Sequence, residues 1–265
     1  MTLGDRMKEY EKVSRTRLMR RTPTVIRLDG CHFHSLTRGL DKPFDKEFVN
    51  IMQNTMLELC NKIQGCVFGY AQSDEITLIL VDYQKLESMA WFDNQVQKMC
   101  SVAASIATQA FEKNLDEEIK KLEVDAQWWY RNDNLYKQEE CIDKMHLLKD
   151  KKYRANFDAR VFNLPIHEVV NNLIWRQQDA IRNSVSSLAQ SLFTHKELQG
   201  VNSKDMKEKM DAERGVRWED LSIDYQRGVA AIKDSEGKWF IDKLTPIFTE
   251  DRKYIEDLIN INQYE

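Results

Sequence analysis

No stretch of this chain stays apolar long enough to cross a membrane as a helix. Its first residues, Met1-Thr2-Leu3-Gly4-Asp5-Arg6, lead into charge where a signal region would be apolar. No membrane partner is therefore expected, and a cytoplasmic address is. An excess of positive charge is missing as well: the formal net charge is −4, which excludes a globally basic nucleic-acid binder. Disulfide and zinc signatures are absent. Cys31, Cys60, Cys66, Cys100 and Cys141 form no close pair and leave one over, and His32 and His34 have no companion ligands at metal spacing. Free thiols are expected. Neither an internal repeat nor a low-complexity linker interrupts the 265 residues, 42% of them hydrophobic and 31% charged, so a globular body with a real core is expected.

What basic charge there is comes in clusters. Arg15, Arg17, Arg20 and Arg21 form one, Lys149, Lys151, Lys152 and Arg154 a second, and Lys204, Lys207, Lys209, Arg214 and Arg217 a third. Such patches either hold a structured RNA locally or are solvated helix faces, and the sequence leaves both readings open.

Residues 5–21 read as a polar, amphipathic helix that Pro23 ends. Thr24-Val25-Ile26-Arg27-Leu28 is a β-branched run, the first strand. Beyond Pro43, with Asp45 near its start, a helix shows apolar residues at spacings of three and four from Phe44 to Leu59. Residues 66–71 and 76–81 are the next two strands, joined by a turn short enough for a hairpin. A helix over about 91–111 follows, with small residues Ala103, Ala104 and Ser105 suited to close packing on a sheet. Residues 114–153 turn charged and lack a strand signal. Their triplet Trp128-Trp129-Tyr130 is expected to pack onto the body, with stacking on bases the alternative. Residues 157–164 make a fourth strand, Pro165 opens a helix through Trp175, expected in the core, to Leu188, and a last hairpin lies within 228–240. Strand, helix, strand, turn, strand is the start of a ferredoxin-like βαββαβ unit. The expected fold is mixed α/β (α+β): a polymerase-palm-like antiparallel sheet with flanking helices, a helical insertion and a helical C-terminal extension.

Two acidic turns carry the chemistry. Asp29 and Gly30 end the first strand, and Gln72-Ser73-Asp74-Glu75 link the second and third. An Asp in a turn ordinarily caps backbone donors. Two of them at neighbouring strand ends, however, can share a pair of Mg²⁺ ions about 3.5–4 Å apart, the arrangement for in-line attack on a nucleotide phosphate. The Gly30 carbonyl can add a ligand, and the loop Gly30-Cys31-His32-Phe33-His34 can cradle a triphosphate. Glu75 is the less secure member, because strict strand alternation turns it to the other face.

Thr24 to His34, Gly69 to Glu75 and Trp175-Arg176-Gln177-Gln178-Asp179 together resemble the signatures of the tRNA-His guanylyltransferase superfamily, and Lys42-Pro43 and Asp45 fit the same pattern. The resemblance implies an enzyme that adds nucleotides to the 5′ end of tRNA, in the 3′-to-5′ direction. It uses two Mg²⁺ ions at Asp29, Gly30 and Asp74, with Glu75 counted among the catalytic carboxylates. It also implies nucleotide contacts from Gly30, Cys31, His32, Phe33, His34, Lys42 and Ser73, GTP and ATP as ligands, and a homotetramer. A single catalytic domain over 1–265 is expected, with its palm-like core at about 22–113 and 154–190, the insertion at about 114–153 and the extension at about 191–265. After the third motif the chain continues Ala180-Ile181-Arg182-Asn183-Ser184-Val185-Ser186-Ser187, where dedicated guanosine-adding enzymes have His-Ile-Asn-Asn-Leu-Tyr-Asn-Thr. That departure is similar to the bacterial and archaeal branch and favours template-directed repair of 5′-truncated tRNA over single guanosine addition to tRNA-His. A palm nucleotide cyclase and a non-catalytic RNA-binding module are the alternatives from other classes. The basic clusters speak against the first and the intact acidic turns against the second.

Overall fold

The computed structural model describes residues 1–260. In chain order the helices and strands are α1 (Leu3–Lys12), β1 (Thr24–Gly30), α2 (Phe33–Leu36), α3 (Lys46–Lys62), β2 (Cys66–Gln72), β3 (Glu75–Leu80), α4 (Val96–Arg131) and α5 (Leu135–Lys149). Then come β4 (Phe157–Asn163), α6 (Ile166–Leu192), α7 (His195–Leu198), α8 (Ser203–Arg214), α9 (Ile223–Arg227), β5 (Val229–Lys233), β6 (Trp239–Asp242) and α10 (Lys253–Ile259).

The six strands form one antiparallel sheet in the order β4-β1-β3-β2-β5-β6. Since β3 is antiparallel to both β1 and β2, those two run parallel with β3 inserted between them, the split βαβ arrangement. The strands that end in the acidic turns are thus not direct neighbours. They end at the same edge of the sheet, and the β2–β3 turn spans the gap.

Alternation along the strands sends side chains to two covered faces. Ile26, Leu28, Ile76 and Leu78 meet Met52, Met56 and Leu59 of α3 and Ala103 and Ala107 of α4 on one side. Val25, Tyr70 and Ile79 meet Val169, Val170 and Leu173 of α6, together with Phe248 and Ile255, on the other. With both faces covered, every residue of β2 is buried. Close approach of α3 to β2 depends on Gly69, where a Cβ would stand 2.5 Å from Cys60 Sγ. Asp45 caps α3 by accepting from the Phe48 N–H at 2.9 Å.

Three expectations are corrected. The first helix stops at Lys12 rather than near 21, and none of its residues is buried. The chain beyond it is held extended, because Leu18 N–H donates to the Asn94 carbonyl at 2.9 Å and Val96 N–H to the Thr16 carbonyl at 3.0 Å. The helix expected to finish near 111 runs unbroken to Arg131, across the expected boundary at 114, and α5 folds back along it. The aromatic triplet does not join the core: Trp128 is 53% and Tyr130 62% exposed, the half-buried Trp129 lies against Trp128 and Lys137 of α5, and α5 meets the core at Leu148, at its opposite end.

Candidate active site

The two acidic turns meet. Gly30 N–H donates to the Asp74 carbonyl at 3.1 Å, and Asp29 lies opposite Glu75 in the β1–β3 register. Glu75 therefore shares the Asp29 face instead of the other one. Asp74 sits in a turn, not a strand, and the left-handed backbone of Ser73 (φ 49°) breaks the alternation that the sequence suggests. From α6, Arg176 holds Glu75 at 2.9 Å and Asp179 at 3.4 Å.

Gly30 is required by packing. A Cβ there would lie 2.4 Å from the Phe33 ring, which is buried against Phe48, Phe111 and Phe157 at centroid distances of 6.1, 5.5 and 5.1 Å. Gly30→Ala is expected to lower stability by about 1–3 kcal/mol, the usual cost of overpacking. Urea unfolding checks this, and a loss below about 0.5 kcal/mol would show that the ring swings aside at no cost.

The Phe33 side chain belongs to the core, so its backbone is what faces the turn. His32 adopts a left-handed conformation (φ 57°) that turns the chain into α2, whose first amides have no intrahelical acceptor. His32 and His34 are exposed with ring centroids 6.0 Å apart, and Cys31 is half-buried with Sγ 4.0 Å from Asp158 Oδ2. Lys42 and Ser73 are exposed and line one cavity of about 250 Å³, together with Pro43, Phe44, Asn183 and Tyr225. In that cavity Phe44 and Tyr225 stack at 4.9 Å. The structure thus gathers Asp29, Gly30, Asp74 and Glu75 at one sheet edge and places Lys42 with Ser73 on the adjoining cavity.

Burial, and then the charge of Asp29 beside it, hold the Asp74 carboxyl above the ordinary aspartate value. Arg176 is taken up by Glu75 and Asp179, so the repulsion between Asp29 and Asp74 is not relieved from that side. Two adjacent carboxylates and a carbonyl are hard oxygen donors, the set a Mg²⁺ ion takes. A second acidic group, Asp41, Asp45 and Glu47, has its ligand oxygens within 4.8 Å of one another. It does not fit a metal, because the Lys144 ammonium already lies against it.

Sequence reasoning missed Asp158, which stands opposite Asp29 on β4 and would have been visible only if the β1–β4 register were known. It expected Trp175 in the core. The ring is 48% exposed, with the Arg176 guanidinium 3.6 Å and that of Arg27 5.9 Å from its centroid. The basic clusters are in good part internally paired. Arg17 and Arg20 bind Asp93, Lys152 binds Asp116 at 2.7 Å, and Lys207 binds Glu219 at 3.0 Å.

Residues 4–165 match the model of a protein family described as tRNAHis guanylyltransferase. The chain is 28% identical over 237 residues to uncharacterized protein R259 of Acanthamoeba polyphaga mimivirus, covering 86% of this chain and 75% of that one. It is 23% identical over 236 residues to tRNA(His) guanylyltransferase 2 of Arabidopsis thaliana, covering 84% of this chain but 38% of the plant protein. Among solved structures, a bacterial tRNA(His) guanylyltransferase-like protein in complex with ATP superposes with a TM-score of 0.84 at 38% identity, over 98% of this chain and all of that one. A similar protein in complex with GTP gives 0.77 at 34% identity, over 98% and 99% of the two chains.

Proposed function

The chain belongs to the tRNA(His) guanylyltransferase family, and from that premise we propose that it is a Mg²⁺-dependent 3′-to-5′ nucleotidyltransferase that rebuilds 5′-truncated tRNA against the opposite strand. The observation that carries the reading is the Gly30–Asp74 hydrogen bond, which closes the two acidic turns into one oxygen-rich edge. Asp29, the Gly30 carbonyl and Asp74 would hold the metal. Bound Mg²⁺ supplies Lewis-acid stabilisation of phosphoryl oxygens and a lowered pKa for the attacking hydroxyl.

The chain's own residues do the positioning. Arg176 keeps Glu75 turned toward α6, so that only Asp29 and Asp74 face each other without a basic partner from that helix. The stacked Phe44–Tyr225 pair gives the neighbouring cavity a flat apolar wall suited to a nucleobase, and Lys42 supplies a cation for phosphate. Similar proteins in complex with ATP and with GTP support a nucleoside triphosphate as the ligand. Ala180 lines the cavity at the position where the guanosine-adding motif has His, and the loss of that His supports repair over single guanosine addition to tRNA-His.

A tRNA transcript lacking its first nucleotide, offered each nucleoside triphosphate in turn with Mg²⁺, tests the proposal. Only the nucleotide that pairs with the opposite strand is expected to join the 5′ end. Guanosine joined to tRNA-His alone would replace repair with the single-addition reading, and no addition to any tRNA would remove both.

A further inference from the structure

Lys144 lies outside every motif. It comes from α5, and its side chain crosses to the loop between α2 and α3, where it donates to Asp41 and Asp45 and approaches Glu47 at 3.6 Å. Asp45 is buried and works in three directions. Its Oδ1 accepts from the Phe48 N–H at 2.9 Å, and its Oδ2 accepts from the Asp41 N–H at 3.0 Å and from Lys144. Residues Asp41 to Asp45 also form one wall of the cavity that holds Lys42, Phe44 and Ser73. That wall is thus backed by three carboxylates whose mutual repulsion would spread the loop if nothing neutralised them. Burial draws the Lys144 ammonium toward its neutral form, but its hydrogen bonds to Asp41 and Asp45 outweigh this and keep its pKa above the ordinary lysine value. It is charged throughout the neutral range.

We infer that Lys144 is a positioning residue for nucleoside triphosphate binding: its ammonium neutralises Asp41, Asp45 and Glu47 and so fixes the wall that carries Lys42 and Phe44. The inference rests on the reading of that cavity as the nucleotide pocket. It makes the α4–α5 hairpin a support for the pocket and gives the long excursion of the chain a function that no local motif encodes.

Lys144→Met keeps the aliphatic stem and removes the charge. Calorimetric titration with ATP and with GTP in Mg²⁺ is expected to show affinity weakened about tenfold, the scale on which supporting residues act. The KM for the triphosphate should rise by a similar factor, with kcat within about twofold of wild type, as for a loss of uniform binding. The double variant Asp41→Asn/Lys144→Met should recover most of the affinity, because Asp41 is exposed and its removal relieves the same repulsion. Unchanged affinity in Lys144→Met overturns the inference. Weakened affinity that Asp41→Asn does not restore overturns it too, since a mere tether between α5 and the loop has no reason to respond to Asp41. Wild-type protein that binds neither nucleotide overturns the pocket reading itself.

Discussion

Asp74→Asn is expected to slow 5′ nucleotide addition by at least about a thousandfold and to leave the protein folded. A carboxylate that holds a catalytic metal contributes several kcal/mol of transition-state stabilisation, and each 1.36 kcal/mol is a factor of about ten in rate. The substitution keeps the volume and removes the charge, so the fold has no packing reason to respond. Electrostatics point the same way: Asp74 is partly buried beside Asp29, and the neutral amide removes that repulsion. Its thermal midpoint should therefore match or exceed that of wild type. Asp29→Asn should lose a similar factor, and the double variant little more than either alone, because both residues serve one site and their losses do not add. Single-turnover addition at saturating nucleotide separates this from weaker binding. A rate within tenfold of wild type for either variant would show that the metal is held elsewhere.

Much of the fold was legible because its signals are local. The β-branched run at Thr24–Leu28, the spacing from Phe48 to Leu59 and the short turn at Gln72–Glu75 each declare an element within a few residues. Their order then left few topologies, and β3 between β1 and β2 is the one found. The acidic turns were visible for the same reason, as Asp residues at strand ends.

What the sequence did not disclose depends on distant partners. Asp158 meets Asp29 only through the β1–β4 register, and Lys144 reaches Asp45 across 99 positions. The first helix was misjudged because the polar residues from Ser14 to Arg21 suit a helix as well as a tail pinned by Asn94, Val96 and Asp93. Trp175 was expected in the core as the plainest reading of an aromatic residue on that helix. Its ring instead lies beside two guanidinium groups, a use of tryptophan that periodicity does not distinguish from burial. Glu75 was assigned to the wrong face because alternation was counted through a turn residue, Asp74.

Arg176 should prove the most sensitive position for stability outside the apolar core. Its side chain is 8% exposed and that of Glu75 12%, and they bond at 2.9 Å between α6 and the start of β3. Burying such a pair is of little net benefit, but removing one partner strands the other charge away from water, which costs about 3–5 kcal/mol. Arg176→Met is expected to fall in that range, because Met replaces the stem and leaves Glu75 without its cation. Asp179, which Arg182 also holds at 2.7 Å, stays paired and should add little to the loss. Adding Glu75→Gln to Arg176→Met should restore a large part of the stability, since it removes the stranded charge and not merely the contact. Urea unfolding of the two single variants and the double variant completes the cycle. A loss below about 1 kcal/mol in Arg176→Met would mean that water reaches Glu75 freely and that the pair behaves as an exposed one. If the loss is large but Glu75→Gln does not reverse it, the stabilising partner of Arg176 is the Trp175 ring at 3.6 Å rather than the carboxylate. In the expected case a freed Glu75, opposite Asp29 in register, would also disturb the edge that Asp29 and Asp74 form, so 5′ addition should fall in Arg176→Met even under conditions where the protein is fully folded.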